Sequence, residues 1–459
     1  MSYCSGLAGK HPAPVLCGPP DGRTGNVQTK IQAISWNITR LCNLKCAHCY
    51  LPAGFVDTNE FPSGYIRDSE LTREQCFTVI DQIATINSNA LLILTGGEPL
   101  LRPDILEISH YAAKTGFLVV MGTNGILLDD TTVTQMLDHG VSGAGISLDS
   151  CSPSDHDKFR GIDGALDATL KGIEVLSRHR MQFLVQTSVT RMNCDQIPQM
   201  VEYAAELGAK VFNLYFLVRT GRGKTIMDLS PEQYEAMLET LSALQEKYKG
   251  RMFVAAKCAP HFKRTIYERE SDSPLLQGYP GGTCPCGIYY CRISPEGDLT
   301  PCPYLPVSVG NLKEKSFATL WNSSEVFDQL RDRTLLSGRC GKCEFRDVCG
   351  GCRARAYAAD EDYLAEDPSC TYQPGQYGNE LVQFPHITAF GAEPAYELTW
   401  TKPAQERLDR VPSFARGMVI KSVERYAREH GHSEVTPEMM QAVKTRFDES
   451  GIPSFAPRQ

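Results

Sequence analysis

The chain has 459 residues, 42% of them hydrophobic and 22% charged, enough apolar material for two or three buried cores. Its net charge of −8 excludes a general nucleic-acid partner, although local arginine clusters leave room for an anionic small substrate. No run reaches the roughly 18 apolar residues that a membrane span needs, and residues 1–30 lack the apolar stretch of a signal peptide, so the eighteen cysteines are expected to be reduced, metal-bound and cytoplasmic.

From residue 31 to about 253, short apolar runs alternate with helical stretches. Strands are expected at 31–38, 91–95, 117–121, 143–148, 183–189 and 210–217, with helices at 73–87, 105–114, 166–180 and 196–207. That alternation predicts repeated βαβ units and a parallel sheet. Ligands of such sheets gather beyond the C-terminal ends of the strands.

The first strand is followed by Cys42, Cys46 and Cys49, in Cys42-Asn43-Leu44-Lys45-Cys46-Ala47-His48-Cys49-Tyr50. This spacing supplies three thiolates, whereas a [4Fe–4S] cluster has four iron corners and usually takes four. One iron is left open for an exchangeable ligand. An open iron on a reducing cluster suits one-electron chemistry on S-adenosylmethionine (SAM). The alternative is a zinc loop, which would want a fourth Cys or His at short range. Only His48 is near, between two of the cysteines.

The second strand ends in Thr95-Gly96-Gly97-Glu98-Pro99. Its glycines let the backbone approach a ligand closely, and Glu98 offers a carboxylate to a cationic amine. Gly122-Thr123-Asn124-Gly125 and Ser147-Leu148-Asp149 close the next two strands at the same end. Past a late strand, Arg219, Arg222 and Lys224 lie among glycines. They suit a multiply anionic substrate, since Arg pairs bidentately with carboxylates; a solvated basic loop is the alternative.

From residue 281 to 372, Gly, Cys and Pro punctuation replaces long helices. Cys340-x2-Cys343-x5-Cys349-x2-Cys352 and Cys370, with Cys284, Cys286, Cys291 and Cys302 upstream, form a dense metal-ligand array. Four-cysteine spacing alone leaves structural zinc open. Residues 373–398 read as a linker. Helices are expected at 403–410 and 413–430, and a third opens on Thr436-Pro437, a cap followed by a proline that loses no hydrogen bond.

On these motifs the chain resembles the radical SAM superfamily, with a SPASM extension. The resemblance implies an α/β fold: a partial (β/α)6 barrel over residues 31–255 and the Cys-rich SPASM extension over 256–372. An N-terminal extension (1–30) precedes them; a linker (373–398) and a small C-terminal helical domain (399–459) follow. Three [4Fe–4S] clusters are implied, one on Cys42, Cys46 and Cys49. Cys284, Cys291, Cys302 and Cys352 go to a first auxiliary cluster, and Cys340, Cys343, Cys349 and Cys370 to a second. Two departures are visible. The Cys349–Cys352 gap is two residues where the family usually has three, and Cys286 is a rival ligand beside Cys284. Gly96, Gly97 and Glu98 are expected to hold the methionyl amine of SAM, with Asn124 and Ser147 in the same pocket and Arg160 on the SAM carboxylate.

Residues 217–224, 289–298 and 349–357 look like the radical SAM enzymes of alternative haem and haem d1 biosynthesis, which act on propionate or acetate side chains of iron tetrapyrroles. Residues 400–442 resemble the C-terminal domain of the dark-operative protochlorophyllide reductase B subunit. The implied activity is hydrogen abstraction from a carboxylated tetrapyrrole side chain, followed by loss of the carboxylate. Arg219 and Arg222 would hold the substrate, and ferredoxin or flavodoxin would donate electrons. The alternative is a SPASM enzyme that modifies a ribosomal peptide; such enzymes often carry an N-terminal winged helix, and residues 1–30 are too short and too rich in Gly and Pro to form one. Sulfatase-maturing relatives place an Asp directly after the cysteine at the position of Cys302. Pro303 stands there, against that chemistry.

Overall fold

The computed structural model describes residues 30–449, apart from 52, 57–67, 227, 272, 274–275, 277–283, 379, 383–395 and 412. The expected N-terminal extension, except Lys30, and residues 383–395 of the expected linker lie outside the described residues.

Ten strands form one sheet: β1 (Ala33–Asn37), β2 (Leu91–Thr95), β3 (Leu118–Thr123), β4 (Val141–Ser147), β5 (Phe183–Val189), β6 (Val211–Phe216), β7 (Phe253–Lys257), β8 (Tyr290–Ile293), β9 (Asp298–Thr300) and β10 (Gly310–Asn311). Their order is β10-β9-β8-β1-β2-β3-β4-β5-β6-β7. Every pairing from β8 through β1 to β7 is parallel, and the last two are antiparallel. The six expected strands are present. The parallel series gains a seventh, β7, after a 17-residue helix at Pro231–Lys247 that starts on a Ser230/Gln233 capping box. A second unexpected strand, β8, joins the cysteine-rich module directly to β1.

Two periodicities put the core between sheet and helices. Phe183, Val185, Thr187 and Val189 of β5 are buried while the residues between them are half-buried on the concave face. The helix at Arg73–Asn87 buries Cys76, Val79, Ile80 and Ile83, one stripe at helical spacing. This arrangement turns the C-terminal strand ends, and the loops that follow them, toward one mouth.

The C-terminal helices pack a core of their own. Thr399–Trp400 pairs with Glu434–Val435, and Trp400, Leu408, Ile420, Val423, Ala427 and Met440 cluster apart from the main core. Glu424, 2% exposed, accepts from Trp400 Nε1 (3.0 Å) and from the backbone N–H of Glu397 and Leu398. That carboxylate anchors the chain entering the unit, which is why a charged residue sits in its middle.

Candidate active site at the mouth of the barrel

The chain leaving β1 becomes the cysteine loop, and the end of β2 is pressed against it. A Cβ on Gly97 would lie 2.0 Å from the Leu41 carbonyl oxygen; one on Gly96, at φ +153°, would lie 2.5 Å from that of Thr39. The N–H groups of Gly97 and Glu98 donate to those same carbonyls, at 2.8 and 2.7 Å. The glycines therefore allow close contact between two loops.

Cys42, Cys46 and Cys49 gather beside Leu44 and Ala165, and none is in a disulfide. Burial, then the Glu98 carboxylate and the other two thiols, push the Cys42 thiol up to about 12. Three thiolates gathered this closely repel one another unless they share a multivalent cation, which is what a cluster supplies. Arg160 Nη1 points at Cys46 Sγ from 3.7 Å, and its Nη2 pairs with Asp149. Arg160 thus braces the cluster loop, and its buried Nε has no partner among the described residues. His48 is stacked on Phe159 at 4.3 Å. Burial and the charges of Arg160 and Arg222 keep it neutral.

Glu98 is fully buried and accepts from Thr123 Oγ1 (2.7 Å) and from the N–H of Asn124 (2.9 Å) and Leu100 (3.2 Å). Burial nonetheless pushes its carboxyl up to about 7. A carboxylate in that condition gains from an added cation such as an ammonium group. Asn124 Nδ2 donates to Asn43 Oδ1 (2.7 Å), tying the end of β3 to the cysteine loop. Ser147 is the last residue of β4, half-buried at the same end. Glu98, Asn124, Arg160 and the three thiols therefore share one mouth.

The basic loop is tied to the cysteine loop while Arg219, Arg222 and Lys224 stay exposed. The Arg222 N–H donates to Cys49 O and its Nε to Cys46 O, both at 2.9 Å. Gly221, at φ +57°, would carry a Cβ 2.5 Å from Cys49 O. Arg222 is a strut of the cluster loop. Arg219 is exposed and reaches Lys224 O at 3.4 Å.

The second cysteine field divides into two sets. Cys340, Cys343, Cys349 and Cys370 line one cavity with Phe345 and Tyr372. Arg353 Nη2 lies 3.7 Å from Cys340 Sγ, a cation suited to thiolate charge. In the other set, the Cys284 thiol meets those of Cys286 and Cys352, and Cys286 meets Cys302. Cys258 belongs with them. It directly follows β7 and holds φ +58°, a conformation costly for a non-glycine residue.

Cys291 stands apart from that set. Alternation along β8 turns Cys291 and Ile293 into the fully buried outer core, where Arg331 is the charge nearest Cys291. This corrects the expected placement of Cys291 beside Cys284, Cys302 and Cys352. Sequence reading passed over Cys258, whose one signal is its place directly after a strand. Cys291→Ala should leave iron content unchanged, whereas Cys258→Ala and Cys286→Ala should each lower it or alter the electron paramagnetic resonance (EPR) spectrum of one auxiliary cluster. Loss of about four irons from Cys291→Ala would return that cysteine to the ligand set.

A parallel half-barrel with three thiols at its mouth and a cysteine-rich module on its edge defines a radical SAM enzyme with an auxiliary iron–sulfur domain. Comparison with known families agrees. Residues 36–204 match the Radical SAM superfamily, 284–352 the iron-sulfur cluster-binding domain SPASM, and 400–444 the proto-chlorophyllide reductase 57 kD subunit family. The chain is 41% identical over 350 residues to the AdoMet-dependent heme synthase of Methanosarcina barkeri, covering 75% of this chain and 97% of that one. It is 30% identical over 365 residues to the pre-heme d1 synthase of Dinoroseobacter shibae, covering 75% and 87%. The crystal structure of Streptococcus suis SuiB shares the fold, with a TM-score of 0.59 at 17% identity over 76% of this chain and 78% of that one. The chain belongs to the radical SAM superfamily. It is a radical SAM enzyme that uses SAM with a [4Fe–4S] cluster and carries SPASM auxiliary iron–sulfur clusters. Among the described residues no helix is long and apolar enough to cross a membrane.

Proposed function

We propose that this enzyme acts in tetrapyrrole biosynthesis, decarboxylating propionate-type side chains of an iron porphyrin. The carrying observation is the 41% identity that spans 97% of a relative named as an AdoMet-dependent heme synthase. Three clusters are assigned: one on Cys42, Cys46 and Cys49, one among Cys258, Cys284, Cys286, Cys302 and Cys352, and one on Cys340, Cys343, Cys349 and Cys370.

Bound there, a [4Fe–4S] cluster with SAM would supply the one-electron chemistry that starts hydrogen abstraction, and the auxiliary cysteine sets would hold clusters able to accept an electron. The protein's own residues do the positioning. Glu98 receives the SAM ammonium group, while Asn124 and Asn43 hold that strand end against the cluster loop. Arg160 and Arg222 both fix the loop, and the Arg160 Nε remains for the SAM carboxylate. Ferredoxin or flavodoxin donates the electrons.

The test is anaerobic incubation of the holoenzyme with SAM, a reductant and iron porphyrins bearing four or two propionates, reading product masses. The expected product has lost the elements of formic acid from each converted side chain, leaving vinyl groups. Unchanged porphyrin masses alongside continued SAM cleavage would overturn the reading, and a mass change on a peptide substrate would replace it.

A further inference from the structure

The concave face of the barrel carries a cation that neither the cluster loop nor the rim accounts for. β8 runs beside β1 with Arg292 opposite Ser35. The alternation that sends Cys291 outward turns Tyr290 and Arg292 inward, both half-buried. Arg292 Nε donates to Asn37 Oδ1 at 2.5 Å, and Asn37 Nδ2 donates to the Tyr50 hydroxyl at 2.8 Å.

Tyr50 directly follows Cys49. Its ring meets Tyr304 edge-on, with centroids 5.0 Å apart, and Tyr304 lies two residues beyond Cys302. Arg292 is thereby fixed between the radical-SAM cysteine loop and the first auxiliary thiol set. Tyr50, Tyr215, Tyr290 and Tyr304 lie near enough to shift one another's ionisation, so the space around the guanidinium is walled by phenols.

The Arg292 fork is only partly used. Among the described residues its side chain makes one hydrogen bond, from Nε, and the terminal nitrogens have none. Glu296, the carboxylate nearest in charge, is already gripped by Nε and Nη2 of Arg40. A half-buried guanidinium held at Nε, with two terminal donors open, is shaped for an end-on carboxylate. The rim arginines are not. Arg219 and Arg222 are both exposed, where water screens a carboxylate contact.

We propose that Arg292 binds a carboxylate of the substrate on the concave face, with the flat body of that substrate lying against the tyrosines. The proposal rests on the tetrapyrrole reading: its ligand is a propionate-type side chain of a carboxylated macrocycle. Asn37 and Tyr50 hold the guanidinium in register with the cluster loop.

The experiment titrates holoenzyme with an iron porphyrin bearing four propionates and with its tetramethyl ester, following the porphyrin absorbance. The parent should bind the acid more tightly than the ester. Arg292→Gln should weaken acid binding about ten- to hundredfold, the loss of one charge-assisted partner, and leave ester binding and iron content as in the parent. Arg292→Lys should recover part of the acid affinity. The proposal fails if Arg292→Gln binds the acid as the parent does, or if acid and ester binding fall equally, which would mark Arg292 as packing. A parent that binds neither porphyrin would sink the tetrapyrrole reading and this inference with it, an outcome distinct from both.

Discussion

Replacing Cys42, Cys46 and Cys49 together by Ala should remove about four irons from the reconstituted protein and abolish SAM cleavage, while the auxiliary clusters persist. The cause is local. The three thiols pack in a cluster of their own with Leu44 and Ala165, separate from both auxiliary sets. The loop is held at Thr39 and Leu41 by Gly97 and Glu98, at Lys45 and Ala47 by the carbonyls of Arg160 and Phe159, and at Cys46 and Cys49 by Arg222. None of these contacts needs a cysteine side chain, so the loop keeps its frame when the thiols are gone. Iron analysis and EPR of the triple variant check this. Unchanged iron, or zinc in the remaining sites, would overturn the cluster assignment.

The parts of this architecture that could be read from sequence share a physical cause: their signals are local in the chain. Three cysteines within eight residues after a strand declare a ligand set without knowledge of the fold. So do runs such as 91–95 and 183–189, whose length and flanking helices mark a parallel sheet. The missed features depend on pairing across the chain. β8 is four residues long, too short for its alternation to show. Once it pairs with β1, that alternation decides that Cys291 faces the helices and Arg292 the substrate space. Cys258 carries no spacing motif, and only the sheet brings residue 258 to residues 284 and 302. Gly96 and Gly97 were legible as required glycines, and their close approach to the backbone of residues 39 and 41 shows only in the fold. The contacts of Arg222 with Cys46 and Cys49 were not legible, because those residues lie more than 170 positions earlier.

A second large effect is expected at Asp367, which no motif marks. It is fully buried and stands between the two auxiliary cysteine sets. One oxygen accepts from the Cys352 N–H (2.7 Å) and from Arg355 Nη1 (3.0 Å); the other accepts from the Ser369 N–H (3.0 Å). Burial alone would raise its carboxyl, but the Arg355 charge and these donors hold it below the usual aspartate range. Arg355 in turn donates to the Tyr234 hydroxyl (3.4 Å) and the Cys258 carbonyl (2.9 Å), so the ion pair couples the end of β7 to the cysteine-rich module. Truncating one member of a buried pair strands the other charge in a low dielectric, at a cost of about 3–5 kcal/mol. Asp367→Ala should therefore unfold the module at markedly lower denaturant and lower the iron bound by both auxiliary sets. The Cys42, Cys46 and Cys49 cluster, which shares no contact with Asp367, should remain. Asp367→Asn keeps the shape and one acceptor for the Cys352 N–H, and should lie between the two. Denaturation of the cluster-loaded variants, read by visible absorbance beside iron analysis, decides it. Parent-like stability of Asp367→Ala would show that the cluster ligands alone hold the module together.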